Sequence, residues 1–380
     1  MLRRFFASVA VAVALAAPAA AQNAPERPEL PRGADPNDWE AYYDLGVVKL
    51  NAKLGRDAGA AFYWAARLEP QRAEPLYGMR AAVFMQDLTL WERYLADDER
   101  ALRSPAALRA DSLMVESLLR NPFVAPTLDV LLLDQLPGYW GQDRTTQGWL
   151  HFARGNLGQA ARHFRAAIES NPRSNYRRRY SLATVLVVMG EMDSAAVQIQ
   201  AMLDELRRRD EARVVVVYQS KETLEYALGL LHMARRRWPE ARAAMERAVL
   251  ENAGGHLGHR GLASIAQAEG KAAEAVEEYR QAVALGGEHP LLEYEFGDAL
   301  LRAGAVEEAI EHLGRAVARE PYWADARLEL GRACETAGKT AEALEAYERY
   351  AQLAPRKDAA TVQAVRQRIE RLRAAPPSAP

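Results

Sequence analysis

The chain has 380 residues, 49% of them hydrophobic and 26% charged, with a formal charge of −2. That length allows two ordinary domains or one extended array, and the near balance of charge argues against a protein built around a polyanion or a polycation. The single cysteine, Cys334, excludes an intramolecular disulfide framework.

The first residues differ from the rest. Arg3 and Arg4 precede the apolar stretch "FFASVAVAVALAAPAA", which is too short to span a bilayer comfortably, and Ala19-Ala20-Ala21 offers small residues for cleavage. Residues 1–21 are therefore expected to be a signal peptide cleaved before Gln22, which makes the mature protein periplasmic or secreted and leaves it no transmembrane segment. Export in turn argues against a nucleic-acid partner. Residues 22–37, "QNAPERPELPRGADPN", read as a Pro-rich linker, and the tail 374–380 has the same character.

Between them the chain repeats itself every 34 residues. Segment 39–72 carries Leu45-Gly46, Ala58, Phe62, Ala65 and Pro70. Segment 141–174 repeats this with Gly148, Gly155, Ala160, Phe164, Ala167 and Pro172, and 176–209 with Leu182-Ala183, Gly190, Ala195, Ile199 and Met202. Four further segments follow without gaps, at 222–255, 256–289, 290–323 and 324–357. In all four, position 20 is alanine (Ala241, Ala275, Ala309, Ala343) and position 24 is large (Met245, Tyr279, Leu313, Tyr347). Residues 73–140 keep the spacing, twice 34, without the signature. They read as two degenerate helical hairpins, one capped by Thr89 and one begun by Pro126. Residues 210–221, "DEARVVVVYQSK", read as an insertion lying extended on the array. Val362, Val365, Ile369 and Leu372 make one apolar stripe over 358–373, the mark of a capping helix.

This pattern resembles the tetratricopeptide repeat (TPR), whose period is 34. The resemblance implies an all-α fold, a right-handed superhelical solenoid of antiparallel helix hairpins closed by the C-terminal capping helix. Small residues at positions 8, 20 and 27 let helices approach, while large ones at 7 and 24 fill the grooves. Gly270, Gly304 and Gly338 stand at position 15, where the backbone must turn through φ > 0. Two departures make the local geometry an open question: Arg, Glu or His at position 4 in place of an aromatic residue, and Tyr350 in place of a small residue.

No residue grouping points to catalysis, a cofactor or a metal, and the chain reads as a non-enzyme. "ACETAGKT", 333–340, fits a loose phosphate-loop pattern, but it lies at the end of a first helix, not between a strand and a helix. His256 and His259 have metal spacing without further ligands nearby. His151 and His232 share position 11, and His163 and His312 share position 23, which suggests packing between helices. Arginine triplets at 177–179, 207–209 and 235–237 read as solvated edges among acidic neighbours.

In the resembled family, positions 2, 5, 9 and 12 of the first helices line a concave groove. Here they include Tyr43, Trp149, Phe152, Arg177, Tyr180, Tyr226 and Tyr294, which suit capture of a protein or peptide. The expected function is an exported scaffold in the bacterial envelope binding through that groove. Alternatives are a structural assembly component working through its edges, or an accessory module binding glycan or peptidoglycan. The sequence leaves the oligomeric state open.

Overall fold

The computed structural model describes residues 25–86, 144–211 and 220–374, apart from 71, 73, 154, 171–174 and 288, together with Leu113, Glu116 and Arg120. The expected signal peptide, most of the 73–140 segment, the valine run of the insertion and the last six residues lie outside the described residues.

Among the described residues there are sixteen α-helices, one 3-10 turn and no strand. In chain order they are α1 (Trp39–Asn51), α2 (Gly55–Leu68), α3 (Glu74–Gln86), α4 (Arg144–Ala153), α5 (Leu157–Ser170), α6 (Tyr176–Val188), α7 (Met192–Glu211) and α8 (Lys221–Ala234). Then come α9 (Trp238–Glu251), α10 (Leu257–Ala268), α11 (Ala272–Gly286), α12 (Pro290–Ala303), α13 (Val306–Arg319), α14 (Ala324–Thr336), α15 (Thr340–Leu353), the 3-10 turn Arg356–Asp358 and α16 (Ala359–Ala374). The chain divides into two compact units, one holding 117–285 and the other 12–116 with 286–380. Helix α7 runs through Glu211, two residues into the expected insertion.

Within the first unit α4 to α10 pack each on the next, and within the second the same holds for α1 to α3 and for α12 to α16. Alanine at position 20 is what allows this. Ala58, Ala160, Ala195, Ala241, Ala275, Ala309 and Ala343 are all buried. Position 8 makes a second close approach to the large residue at position 24. A Cβ built at Gly46 would stand 2.6 Å from the Phe62 ring, and at Gly331 2.6 Å from the Tyr347 ring. The small residue is therefore required by its neighbour across the hairpin.

Five of the turns between the paired helices pass through glycine with φ between +72° and +84°, at Gly155, Gly190, Gly270, Gly304 and Gly338. Two hairpins put a side chain there instead, Lys53 at φ 60° and Arg236 at φ 55°. Left-handed backbone is strained for such residues.

In three hairpins position 4, where the aromatic residue is missing, carries a polar bridge between the two helices. Arg179 donates to Gln198 Oε1 at 2.9 Å, His259 Nδ1 lies 2.8 Å from Glu278 Oε2, and His312 Nδ1 lies 2.6 Å from Glu293 Oε2. Each pairs position 4 with position 23. Tyr350 is accommodated by burial rather than by distortion. It is 1% exposed, and burial pushes its hydroxyl up to about 12. Helix α16 then buries Val365 and Ile369 and packs on α15.

In the second unit the first hairpin does not lie free. Its α2 meets the loop between α13 and α14. Trp64 stacks on Tyr322 at 4.6 Å, and the Tyr63 hydroxyl donates to Glu320 at 3.1 Å. Arg67 sits between Glu116 at 2.8 Å and Glu320 at 3.7 Å, with all three side chains buried, and its guanidinium lies over the Trp323 ring. Burial alone would lower the pKa of Arg67, but the two carboxylates outweigh it and raise it. Of the 22–37 stretch expected to be a linker, residues 25–37 are described and make fixed contacts. Arg27 fastens it to the helices, and Asn37 O accepts from the Arg356 amide at 2.9 Å.

Candidate binding surface on the first helices

The expected groove residues fall into three groups. Trp149 and Phe152, on α4, are half-buried and meet edge to face at 5.6 Å. The Trp149 ring is held from below by Phe164 of α5 at 4.9 Å. Both pack on the core of the first unit while keeping part of each ring at the surface. One turn carries them because positions 9 and 12 lie three residues apart on one helix face.

The second group forms the floor. Tyr180 on α6 is 7% exposed and belongs to the same core as Phe164 and Leu182. Tyr226 on α8 is 1% exposed, packed with Met245, Leu262 and Ile265. The exposed contact area expected of Tyr226 is thus absent. The reason is Arg260, at the same repeat position on α10. Its guanidinium lies over the Tyr226 ring at 6.0 Å and donates to the hydroxyl. Position 5 of one repeat covers position 5 of the one before, a contact 34 residues apart that no local pattern announces. Arg177 is exposed at the start of α6, beside this floor in sequence but one turn further out.

The third group lies in the second unit. Tyr43 is half-buried between Trp39 at 5.9 Å and Phe62 at 5.6 Å. Tyr294 is half-buried against Trp323 at 4.7 Å. Each of these is engaged with its own hairpin or the next one.

The other candidates resolve by their bonds. In "ACETAGKT" the amides of Ala337, Gly338, Lys339 and Thr340 donate to Ala333, Glu335, Cys334 and Gly338. Those N–H groups are spent inside the chain and form no cradle. Among the described residues no three His, Cys, Asp or Glu side chains stand together as a metal site. His151 and His163 stack at 5.1 Å, between the two helices of one hairpin. Four of the triplet arginines are paired: Arg207 converges with Arg247 on the buried Glu225, Arg209 pairs with Glu205, and Arg235 and Arg237 share Asp193.

The family model described as the tetratricopeptide repeat matches residues 145–211, 226–290 and 294–358, more than half of the chain. The chain belongs to the tetratricopeptide repeat family. No curated protein matches it in sequence. Solved structures similar to this TPR chain include the APC/C hetero-tetramer Cut9-Hcn1, with 12% identity over 90% of this chain and 78% of that one, at a TM-score of 0.47. Another is a tetratricopeptide repeat protein from Parabacteroides merdae, with 14% identity over 74% of this chain and 96% of that one, at a TM-score of 0.43. A third is YrrB, described as a TPR protein with an unusual peptide-binding site, with 20% identity over 55% of this chain and 99% of that one, at a TM-score of 0.41. The all-α TPR solenoid is the shared property.

Proposed function

We propose that this TPR chain is an exported scaffold that captures a protein or peptide on the first-helix face of the 144–268 stretch. One observation carries the reading: Trp149 packs between Phe164 and Phe152 on the core, and both Trp149 and Phe152 are still partly exposed. Rigid aromatic side chains give contact area at low entropy cost. Tyr180 and Tyr226 are buried and offer a ligand little contact area. The apolar leader before Gln22 supports export, with the bacterial envelope as the expected site of action.

Against the edge-binding alternative, Arg207, Arg209, Arg235 and Arg237 already face carboxylates. The test is capture of partners from envelope extract by the wild type and by a Trp149→Ala, Phe152→Ala double variant. Loss of an aromatic anchor typically costs about 2 kcal/mol, or roughly thirtyfold in affinity. Undiminished capture by a folded double variant refutes the surface. N-terminal sequencing of protein from the native host tests export, and an intact Met1 in a cytosolic fraction refutes it.

A further inference from the structure

The segment before the first helix is bound to the second unit as a ligand would be. Arg27 Nε donates to the Tyr42 hydroxyl at 2.8 Å, and Nη1 donates to the Gln352 carbonyl near the end of α15 at 3.0 Å. Nη2 folds back to Asn37 Oδ1 at 3.2 Å and to the Pro36 carbonyl, so the same guanidinium also closes its own loop. The guanidinium carbon lies 4.7 Å from the Trp64 ring centroid and 5.6 Å from that of Tyr42. Trp64 Nε1 donates to the Pro25 carbonyl at 3.1 Å. With this segment in place Tyr42 and Trp64 are each 1% exposed, their ring centroids 6.2 Å apart. Downstream, Asp35 lies 3.6 Å from Arg356. The intervening residues Pro31, Arg32 and Gly33 are exposed.

Two features separate this from an ordinary N-terminal extension. One side chain fixes the segment between Pro25, held by Trp64, and Asp35 and Asn37, held by Arg356, and that side chain bridges the first hairpin (Tyr42, Trp64) and the last (Gln352). Together these groups offer an arginine a fork of oxygen acceptors and two ring faces, which is chemistry selective for a planar guanidinium over a lysine ammonium. Pro25 and Pro28 flank Arg27 and hold the backbone extended, lowering the entropy lost on docking.

We infer that Tyr42, Trp64 and the end of α15 form a docking site for an extended, proline-flanked arginine peptide, and that residues 25–37 occupy it in cis as a strap joining the first hairpin to the last. Release of Arg27 then frees the strap and opens the site to an equivalent segment in trans, such as that of a second copy.

The test uses the full chain as wild type, Arg27→Ala, Arg27→Lys and, as a control in the exposed part of the strap, Arg32→Ala. A fluorescent synthetic peptide spanning residues 23–37 is titrated into each and followed by anisotropy. Expected is saturable binding to Arg27→Ala, binding at least about tenfold weaker to the wild type and to Arg32→Ala, whose site is filled, and an intermediate result for Arg27→Lys. The same peptide with alanine in place of its Arg27 should not bind Arg27→Ala. Tryptic cleavage after Arg32 should be faster in Arg27→Ala than in the wild type. Equal cleavage rates, or a freed strap with no peptide uptake, would overturn the inference. So would uptake of the alanine peptide as readily as the arginine peptide. The result is independent of the Trp149 surface, since the double variant there leaves this site intact.

Discussion

Two helical glycines of the second unit should respond to alanine with opposite sign. Gly314 lies on α13, and a Cβ there would meet nothing within 4 Å. Gly331 lies on α14, and a Cβ there would stand 2.6 Å from Cδ1 and from Cε1 of Tyr347. Each alanine gains about 1 kcal/mol of helix propensity over glycine. At Gly314 nothing opposes that gain. At Gly331 the Tyr347 ring must move, yet it is 1% exposed and its hydroxyl donates to Glu335 at 2.7 Å. Overpacking of this kind costs about 1–3 kcal/mol, and loosening a hydrogen bond to a charged acceptor costs about 1.5–3 kcal/mol. The net expectation is a loss of about 2 kcal/mol. At about 2–4 °C per kcal/mol for a cooperative unit of this size, Gly314→Ala should raise the melting temperature by about 2–4 °C and Gly331→Ala should lower it by about 4–8 °C. Thermal melts followed by circular dichroism, repeated in urea, read both. A Gly331→Ala variant melting at or above the wild type would refute the argument that the position 8 glycine is demanded by its partner.

Replacing Lys53 or Arg236, both in left-handed turns, by glycine should stabilise the chain by about 1 kcal/mol each in urea titration, because the strain of a side chain there is relieved. Arg67→Leu should destabilise the second unit by about 3–5 kcal/mol, because Glu116 and Glu320 are left buried without their cation; calorimetry checks this. In the first unit, burial holds His232 and His256 below the ordinary histidine value. The unfolded chain takes up protons on them as pH falls through about 6.5, before the folded chain does. Their contribution is therefore complete above that value and lost below it, so stability should fall from pH 7.5 to pH 5.5, and a His232→Asn, His256→Asn double variant should show a smaller fall.

The helical fold was legible because its determinants recur at fixed spacing. Gly304 and Gly338 read as left-handed turns, and they have φ of 84° and 73°. Ala309 and Ala343 read as sites of close approach, and both are fully buried. What escaped has no period. The contact of Trp64 with Tyr322 and the clasp of Arg27 on Gln352 each join one helical residue to one in an irregular segment, hundreds of positions apart. Along the surface itself the limit was different. Tyr226 and Trp149 look alike as aromatic residues on first helices, yet Tyr226 is buried beneath Arg260 and the side chains packed with it, while Trp149 stays half-buried. The direction in which the Arg260 side chain reaches has no sequence signal.

The bridges between positions 4 and 23 restrict how such an array is assembled over time. In one hairpin the histidine, His259, is on the first helix and the acid, Glu278, on the second; in the next, Glu293 comes first and His312 second. A crossover between these neighbours within the turn would set His259 against His312, or Glu293 against Glu278. One product carries two facing bases and the other two facing acids, each in place of a bonded pair. A crossover between hairpins leaves both pairs whole. The unit of duplication, deletion or grafting in this chain is therefore the complete hairpin, and an engineer who wishes to shorten or lengthen it should cut after the second helix, never at the glycine turn.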